Sequence, residues 1–476
     1  MSDNIKKLPC PNAKKCSGCQ LQNLTYAEQL KMKQAKLVSL LGKFGHVNNI
    51  IGMDEPTHYR NKVQAAFGYR DGRVISGIYQ SASGRIVPTD SCMLENEAAD
   101  RIVVTIRNMC KGFKINPYDL RTGKGYLRHV MVRCGFASGE IMVVLVTAKG
   151  DFPSKRSFVN ELLRRHPEIT TVVHNVNPTE TALFLGRDSE VLYGDGYITD
   201  KLCSLDFRIS PRSFYQVNTV QTEVLYSIAK KFASLKGDER VIDAYCGTGT
   251  IGLTMADKAR EVIGAEVNED AVRDAKENAK LNGITNAKFY AVDAGAFMEE
   301  LAAKGEKADV VITDPPRAGC SMKFLKSLLK LAPERIVYVS CNPETLARDL
   351  RTLTKDGYKV KKIQPVDMFP YTGHVETVCL LSKLNTKQHI EVDIHMDELD
   401  LTDAEKKATY GEIKDYVLEH TGLKVSSLYI AQVKQKYGII ERENYNKPKS
   451  EDARQPQCPP DKEKAIKEAL LHFGMI

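Results

Sequence analysis

Five short apolar runs between residues 239 and 340, each separated from the next by a helical pattern, limit what this chain can fold into more than any other feature. They are "ERVIDAYCGTGTIGL" (239–253), "EVIGAEV" (261–267), "AKFYAVDA" (287–294), "ADVVITDPP" (308–316) and "ERIVYVS" (334–340). Such alternation implies a parallel sheet covered on both faces, because each crossover lays a helix over the strands. A further run, "VETVCLLS" (375–382), fits a closing strand. Residues 206–386 therefore read as an α/β domain.

Upstream the rhythm differs. "KVQAAFGYR", "RVISGIYQ", "HVMVRC" and "EIMVVLVT" are bounded by Gly, Asp and Ser, and predict an antiparallel sheet with a few helices over about 56–205. Before it, "TYAEQLKMKQAKLVSLLGKFG" places Thr25 and Glu28 in capping-box positions, which predicts a helix. Downstream, "TYGEIKDYVLEHTGL", "SSLYIAQVKQKYGI" and "KEKAIKEALLHFG" predict three helices, with the polar, Pro-rich link "NKPKSEDARQPQCPPD" before the last. The expected division is 1–22, a cysteine-rich loop; 23–205, a central antiparallel domain; 206–386, the α/β domain; and 387–476, a helical extension. A chain of 476 residues exceeds one ordinary core, in keeping with several domains. No apolar run approaches the about 18 residues of a membrane span, and "MSDNIKKLPC" lacks the apolar stretch of a secretory signal, so a cytoplasmic protein with no membrane contact is expected.

Charge narrows the partners. The net charge is +8, yet residues 387–476 carry 14 Lys+Arg against 17 Asp+Glu, whereas the first 90 residues hold 13 against 6. That asymmetry points to a polyanion near the N-terminal part.

"DAYCGTGTIGL" turns a strand into a helix through glycines, which lets a ligand approach the backbone and frees the helix N-terminus. Glu266 ends the next strand, where a carboxylate can accept both hydroxyls of a ribose. The loop spacing alone also admits a dinucleotide. "TDPPRAGC" then sets Asp314 at the carboxyl end of the fourth strand, Cys341 ends the following one in "VSCNPETLARDL", and Glu376 opens the closing strand in "GHVETVCLL". A thiol and two carboxylates are thus expected at one sheet edge, beside the ligand crevice of an open α/β sheet.

With "SFYQVN" (213–218), these motifs make residues 206–382 resemble the catalytic domain of the bacterial RNA 5-methyluridine (uracil-C5) methyltransferases. The resemblance implies a Rossmann-like class I methyltransferase domain with a mainly parallel seven-stranded sheet, S-adenosylmethionine as methyl donor and RNA as substrate. It places the nucleophile on Cys341, the general base on Glu376, and the cofactor residues on Gln216, Tyr245, Gly247, Thr250, Glu266, Asp293 and Asp314; position 250 is often Asn in relatives. A thiolate suits the task because uracil C5 becomes nucleophilic only after addition at C6. Arg317 is a candidate phosphate or base contact, and His374 reads as a surface or satisfied histidine.

"CPNAKKCSGCQLQ" supplies Cys10, Cys16 and Cys19, with Cys92 later in "TDSCMLEN". Thiolates suit zinc and iron–sulfur clusters equally. The spacing and the following "GCQLQ" resemble the [4Fe-4S] loop of the family's 23S ribosomal RNA members, which implies iron–sulfur over zinc and ribosomal over transfer RNA. Arg60 and Lys62, in "THYRNKVQAAFGYR", are further candidate RNA contacts. Nine residues precede Cys10, so the small TRAM barrel of many relatives is expected to be absent, and the extension from 387 has no counterpart in the family core. A monomer is expected. The competing reading from another class is a non-catalytic RNA-binding or assembly factor, which would have no need of a thiol–carboxylate pair.

Overall fold

The computed structural model describes residues 10–80, 83–150, 152–178, 184–384, 410–437, 457–473 and 475, and divides into two compact units, Met1–Asn385 and Thr386–Ile476. The Pro-rich link, up to residue 456, and the junction at 385–409 lie outside the described residues, as does the start of the cysteine-rich segment, 1–9.

The first unit opens with α1 (Tyr26–Leu41), whose start carries the expected capping box: Glu28 N–H donates to Thr25 Oγ1, and Thr25 N–H donates to Glu28 Oε2. Seven strands follow: β1 (Lys62–Arg70), β2 (Arg73–Tyr79), β3 (Ile86–Pro88), β4 (Leu127–Cys134), β5 (Ile141–Thr147), β6 (Ile169–Val176) and β7 (Asp188–Tyr193). They pair in the order β3-β2-β1-β4-β5-β6-β7, antiparallel except for β5 and β6. Alternation along the strands decides the two faces. Val63, Ala65, Phe67, Val130 and Val132 pack under α2 (Glu97–Gly112) and α3 (Lys155–Arg165), while Met131, Met142, Val144 and Val146 join a core shared with the second sheet.

A hairpin, β8 (Ile198–Leu202) and β9 (Leu205–Ile209), leads to α4 (Thr219–Ala233). The second sheet comprises β10 (Arg240–Ala244), β11 (Glu261–Glu266), β12 (Ala287–Ala291), β13 (Val310–Thr313), β14 (Arg335–Ser340), β15 (Tyr358–Val366) and β16 (Glu376–Lys383), in the order β12-β11-β10-β13-β14-β16-β15. Helices α5 (Thr250–Leu253), α6 (Glu269–Leu281), α7 (Ala294–Ala303), α8 (Met322–Leu331) and α9 (Pro343–Lys355) make the connections. The strands are buried on both faces: Val241, Val310 and Ile312 face α4 residues Leu225 and Phe232, while Ile242, Val311 and Ile336 face Phe324 and Leu328 of α8. From β10 the chain first builds outward through β11 and β12 and then returns to β13, so the order reverses between β10 and β13. A crevice opens at the carboxyl ends of strands at such a switch point.

Three features differ from the sequence expectation. Position 205/206 cuts the β8–β9 hairpin, whose Ile198, Leu202, Phe207 and Ile209 are buried in the shared core; the change of rhythm is real, but pairing ignores it. Likewise α1 lies with the α/β domain: Leu37 and Leu41 pack with Leu346 and Leu350 of α9, and Val47 and Ile51 bridge Ile363 and Val366. Strand β15 was not among the expected strands. Its lysines and Pro365 are what an edge strand carries, and they mask the apolar alternation.

Burial of one ion pair ties α1 to the loop after β15. Lys33 Nζ donates to Asp367 Oδ1 at 2.6 Å and to the Phe369 carbonyl at 3.1 Å, with both side chains enclosed. Lys33→Ala strands a buried carboxylate and is expected to cost about 3–5 kcal/mol in urea unfolding, whereas the double variant Lys33→Met, Asp367→Leu is expected to stay within about 1 kcal/mol of the parent.

In the second unit, α10 (Tyr410–Thr421), α11 (Ser427–Lys436) and α12 (Pro460–His472) bury Ile413, Val417, Ile430, Val433, Ile466 and Leu470 among themselves.

Candidate functional site

The carboxyl ends of β10, β11 and β13 bring three acids to one place. Asp243 is fully buried; its Oδ2 accepts the Gly252 N–H at 2.8 Å and its Oδ1 has no hydrogen-bond partner among the described residues. Burial pushes its carboxyl up to about 7, with Asp314 and Glu266 adding to the rise. Burial alone pushes Asp314 up to about 7. Glu266 accepts the Gly247 N–H at 3.2 Å and the Asn268 N–H at 2.9 Å, which anchors the glycine loop to the end of β11. Crowded acids with an unmet acceptor favour a cationic ligand.

The loop between β10 and α5 is held in a strained shape. Tyr245 adopts φ of 63° and Gly249 adopts 80°, where a Cβ would come within 3.0 Å of the Phe289 ring. Tyr245 reaches the Phe324 ring at 5.0 Å, and the Thr250 hydroxyl is engaged at 2.8 Å by the Tyr226 phenol of α4. Asp293 caps α7, accepting the Ala296 N–H at 2.9 Å. Gln216 lies in the loop after β9, where its carbonyl accepts from Asn61 at 2.9 Å.

Cys341 and Glu376 meet through strand pairing. Ser340 pairs with Thr377 at the end of the antiparallel β14–β16 ladder, which brings Cys341, the next residue, close to Glu376. Each group perturbs the others: burial pushes the half-buried Cys341 thiol up to about 11, with Glu376 and Asp314 raising it further and Arg317 opposing. Burial likewise holds the Glu376 carboxyl well above the usual range, with Asp314 adding and Arg317 opposing. Burial, and then the cations Arg317, Lys33, Lys36 and Arg60, push the His374 imidazole below its ordinary value.

The two motif loops are one hydrogen-bonded unit. Asn342 caps α9 and donates to the Arg317 carbonyl at 3.1 Å. Asp349, fully buried, accepts from Cys320 N–H at 2.8 Å and from the Tyr338 phenol at 2.7 Å, while Arg348 holds the Ala318 and Cys320 carbonyls. Gly319 sits at φ of 74°, where a Cβ would strike Arg348 Nη2 at 2.7 Å and Asp349 Oδ2 at 2.8 Å. Sequence reasoning quoted Asp243 and Asp349 inside their motifs without giving them tasks; the acid at the strand end and the "ARDL" helix turn were the signals.

A family model described as tRNA (uracil-5-)-methyltransferase matches residues 185–384. An RNA methyltransferase of Halalkalibacterium halodurans is 45% identical, covering 79% of this chain and 83% of its own, and one of Clostridium tetani is 44% identical over 81% and 85%. The crystal structure of Pyrococcus abyssi tRNA (uracil-54, C5)-methyltransferase with S-adenosyl-L-homocysteine superposes with a TM-score of 0.64 at 29% identity, covering 77% of this chain and 86% of that one. This chain belongs to the RNA uracil-5-methyltransferase family. It is an enzyme with a class I methyltransferase fold that takes its methyl group from S-adenosylmethionine and delivers it to RNA. No helix of the methyltransferase, among the described residues, is long and apolar enough to cross a membrane.

The four cysteines of the methyltransferase's N-terminal part share a neighbourhood. Burial pushes Cys19 up to about 12, with Cys16 and Cys10 adding, and burial pushes Cys92 up to about 12, with Glu95 adding. Cys10 and Cys92 line one cavity of about 520 Å³, and Cys19 and Cys92 border a cluster of Tyr26, Met53, Tyr59, Leu94 and Tyr371. The donor chemistry is that of a soft metal site, while among the described residues no three Cys, His, Asp or Glu side chains converge as a ligand set.

Proposed function

We propose that the enzyme methylates uracil C5 in ribosomal RNA, with Cys341 as nucleophile and Glu376 as base. The register that brings Cys341 close to Glu376 supports this reading most directly. The Cys341 thiolate adds to C6 of a uracil turned out of its loop, sending the ring electrons to O4 as an enolate. S-adenosylmethionine would supply the methyl group as an electrophilic sulfonium carbon to C5 of the enolate, the methyl C–S bond breaking and S-adenosylhomocysteine leaving as the neutral thioether. Glu376 then takes the C5 proton, and the electron pair released expels the Cys341 thiolate from C6. Gln216, Tyr245, Gly247, Thr250, Glu266, Asp293 and Asp314 hold the donor, with Glu266 on its ribose and the carboxyls of Asp243 and Asp314 facing its positive charge. Arg317 contacts the RNA backbone.

The ribosomal substrate draws on the cysteine loop and its "GCQLQ". The transfer RNA activity named for the solved Pyrococcus abyssi relative favours a second reading with the same chemistry. Incubation with labelled S-adenosylmethionine and separate ribosomal and transfer RNA pools decides: 5-methyluridine confined to transfer RNA selects the second reading, and none in either pool refutes both. A [4Fe-4S] cluster on Cys10, Cys16, Cys19 and Cys92 belongs to the same proposal. Protein prepared without oxygen is expected to be brown with about four iron atoms per chain, and Cys16→Ser with Cys19→Ser is expected to be colourless. A colourless, iron-free parent protein rejects the cluster.

The cysteine loop also reaches the segment before Glu376. Leu21 N–H donates to the Tyr371 carbonyl at 3.0 Å and Gly373 N–H donates to Gln20 Oε1 at 3.3 Å, while Tyr371 is buried at φ of 65°. Gln20→Ala is therefore expected to lower kcat about tenfold while leaving KM for RNA unchanged, measured by steady-state methylation; a rise in KM at constant kcat would assign Gln20 to RNA binding instead.

A further inference from the structure

A second cavity, of about 840 Å³, is lined from β1, β2 and β3 and includes neither the thiol nor the carboxylates of the reaction site. Tyr79 and Tyr118 line it, and Tyr79 is unusually open for an aromatic ring, at 44% exposure, while Tyr69, paired with Val74, turns to the α2 face of the sheet. Each of the two is held by a neighbour: the Tyr79 ring meets His129 edge-on at 6.2 Å, and the Arg128 guanidinium lies 5.0 Å over Tyr118. Rings fixed in advance lose little freedom when a ligand stacks on them.

The same walls carry Lys15, Arg70, Arg85 and Arg121. Their acidic counterpart in the lining is Asp119, which is already paired with Arg121 at 3.6 Å; Asp71, outside the lining, stands 3.7 Å from Arg70 as a solvent-exposed pair. Aromatic faces interleaved with cations suit a strand of bases and phosphates. They do not suit a duplex, whose bases are already stacked and whose recognition runs through grooves and backbone.

Strand β1 links this cavity to the reaction site. Asn61, the residue before it, donates through Nδ2 to the Gln216 carbonyl at 2.9 Å and to Thr219 Oγ1 at 3.0 Å, so β1 starts on the loop that borders the donor site and ends at Tyr69 and Arg70. At about 3.3 Å per residue the strand covers ~26 Å, the length of about eight stacked nucleotides at ~3.4 Å each.

We propose that this groove binds single-stranded RNA, stacking one or two bases of a segment about eight nucleotides from the target uracil. The distance to the target rests on the proposed function; the groove itself does not. Binding is therefore tested with a fluorescein-labelled 12-nucleotide oligoadenylate, which contains no uracil. Tyr79→Ala with Tyr118→Ala is expected to weaken binding at least about tenfold, and Tyr79→Phe with Tyr118→Phe to keep it within about twofold. Arg85→Glu is expected to flatten the dependence of log K on log salt by about 0.7 or more. Equal loss in the Ala and Phe pairs, an unchanged Kd in the Ala pair, or a 12-base-pair duplex binding as tightly as the single strand would each overturn the assignment. If oligoadenylate binds as expected and no 5-methyluridine forms in any RNA, the groove stands and the proposed reaction falls.

Discussion

Cys341→Ala is expected to abolish 5-methyluridine formation, by at least about 10⁴-fold, with binding of S-adenosyl-L-homocysteine retained. Removal of a covalent nucleophile typically costs that much, because the uncatalysed route through a neutral uracil C5 has no comparable alternative. Calorimetric binding separates the chemical loss from misfolding. On the proposed mechanism the same thiol sets the pH response. In the folded enzyme it stands at about 11, pushed up by burial and then by Glu376 and Asp314. Below that value the thiolate fraction grows tenfold per pH unit, from about 10⁻⁴ at pH 7. kcat/KM for RNA is accordingly expected to climb with pH between 6 and 9 with a slope near one, read from initial rates in salt-matched buffers. A profile falling with pH across that range would place a protonated group, rather than this thiolate, at the rate-limiting step. Residual methylation in Cys341→Ala above about 1% would remove Cys341 as the nucleophile.

Glu376→Gln is expected to lower turnover about 10²- to 10⁴-fold and to trap the enzyme on its RNA. With no carboxylate to take the C5 proton, the thioether bond to C6 cannot break, so the chain should run on a denaturing gel as a protein–RNA conjugate after incubation with S-adenosylmethionine. The amide keeps the shape of the side chain, which is buried at the head of β16. Turnover within tenfold of the parent, or slow turnover without a conjugate, would give the proton to another acceptor. His374 is the neighbour whose imidazole is pushed below its ordinary value by burial and then by Arg317, Lys33, Lys36 and Arg60. Together the two variants separate addition from elimination: the alanine stops the reaction before the bond to C6 forms, and the glutamine after it.

Much of this site was legible in the chain. The parallel arrangement of β10 to β14 follows from apolar runs alternating with helical patterns, and the motif loops lie where strands end, so Glu266, Asp314 and Cys341 could be placed at strand ends. Three-residue logic of this kind is local: glycines, prolines and caps act within a turn or two of their own position. Strand β15 escaped because Lys359, Lys361, Lys362 and Pro365 interrupt its pattern, although Val360, Ile363 and Val366 are buried. The hairpin across 205/206 and the docking of α1 escaped because composition changes at places where packing continues.

By itself, then, the sequence determined the α/β class of the catalytic part, the succession of strands β10 to β14 with their helices, and the residue types available at each of those strand ends. Only the tertiary structure decided that Ser340 pairs with Thr377 and so brings Cys341 near Glu376, that Asp349 locks the Pro-Pro loop to α9, that Leu21 and Gln20 reach the Tyr371–Gly373 turn, and that two tyrosines and four cations share one groove. The physical reason is the range of the forces recorded in each. Periodicity and turn chemistry are written in neighbouring residues, whereas register and the partners of a buried carboxylate are chosen by which surfaces exclude water together, often hundreds of residues apart.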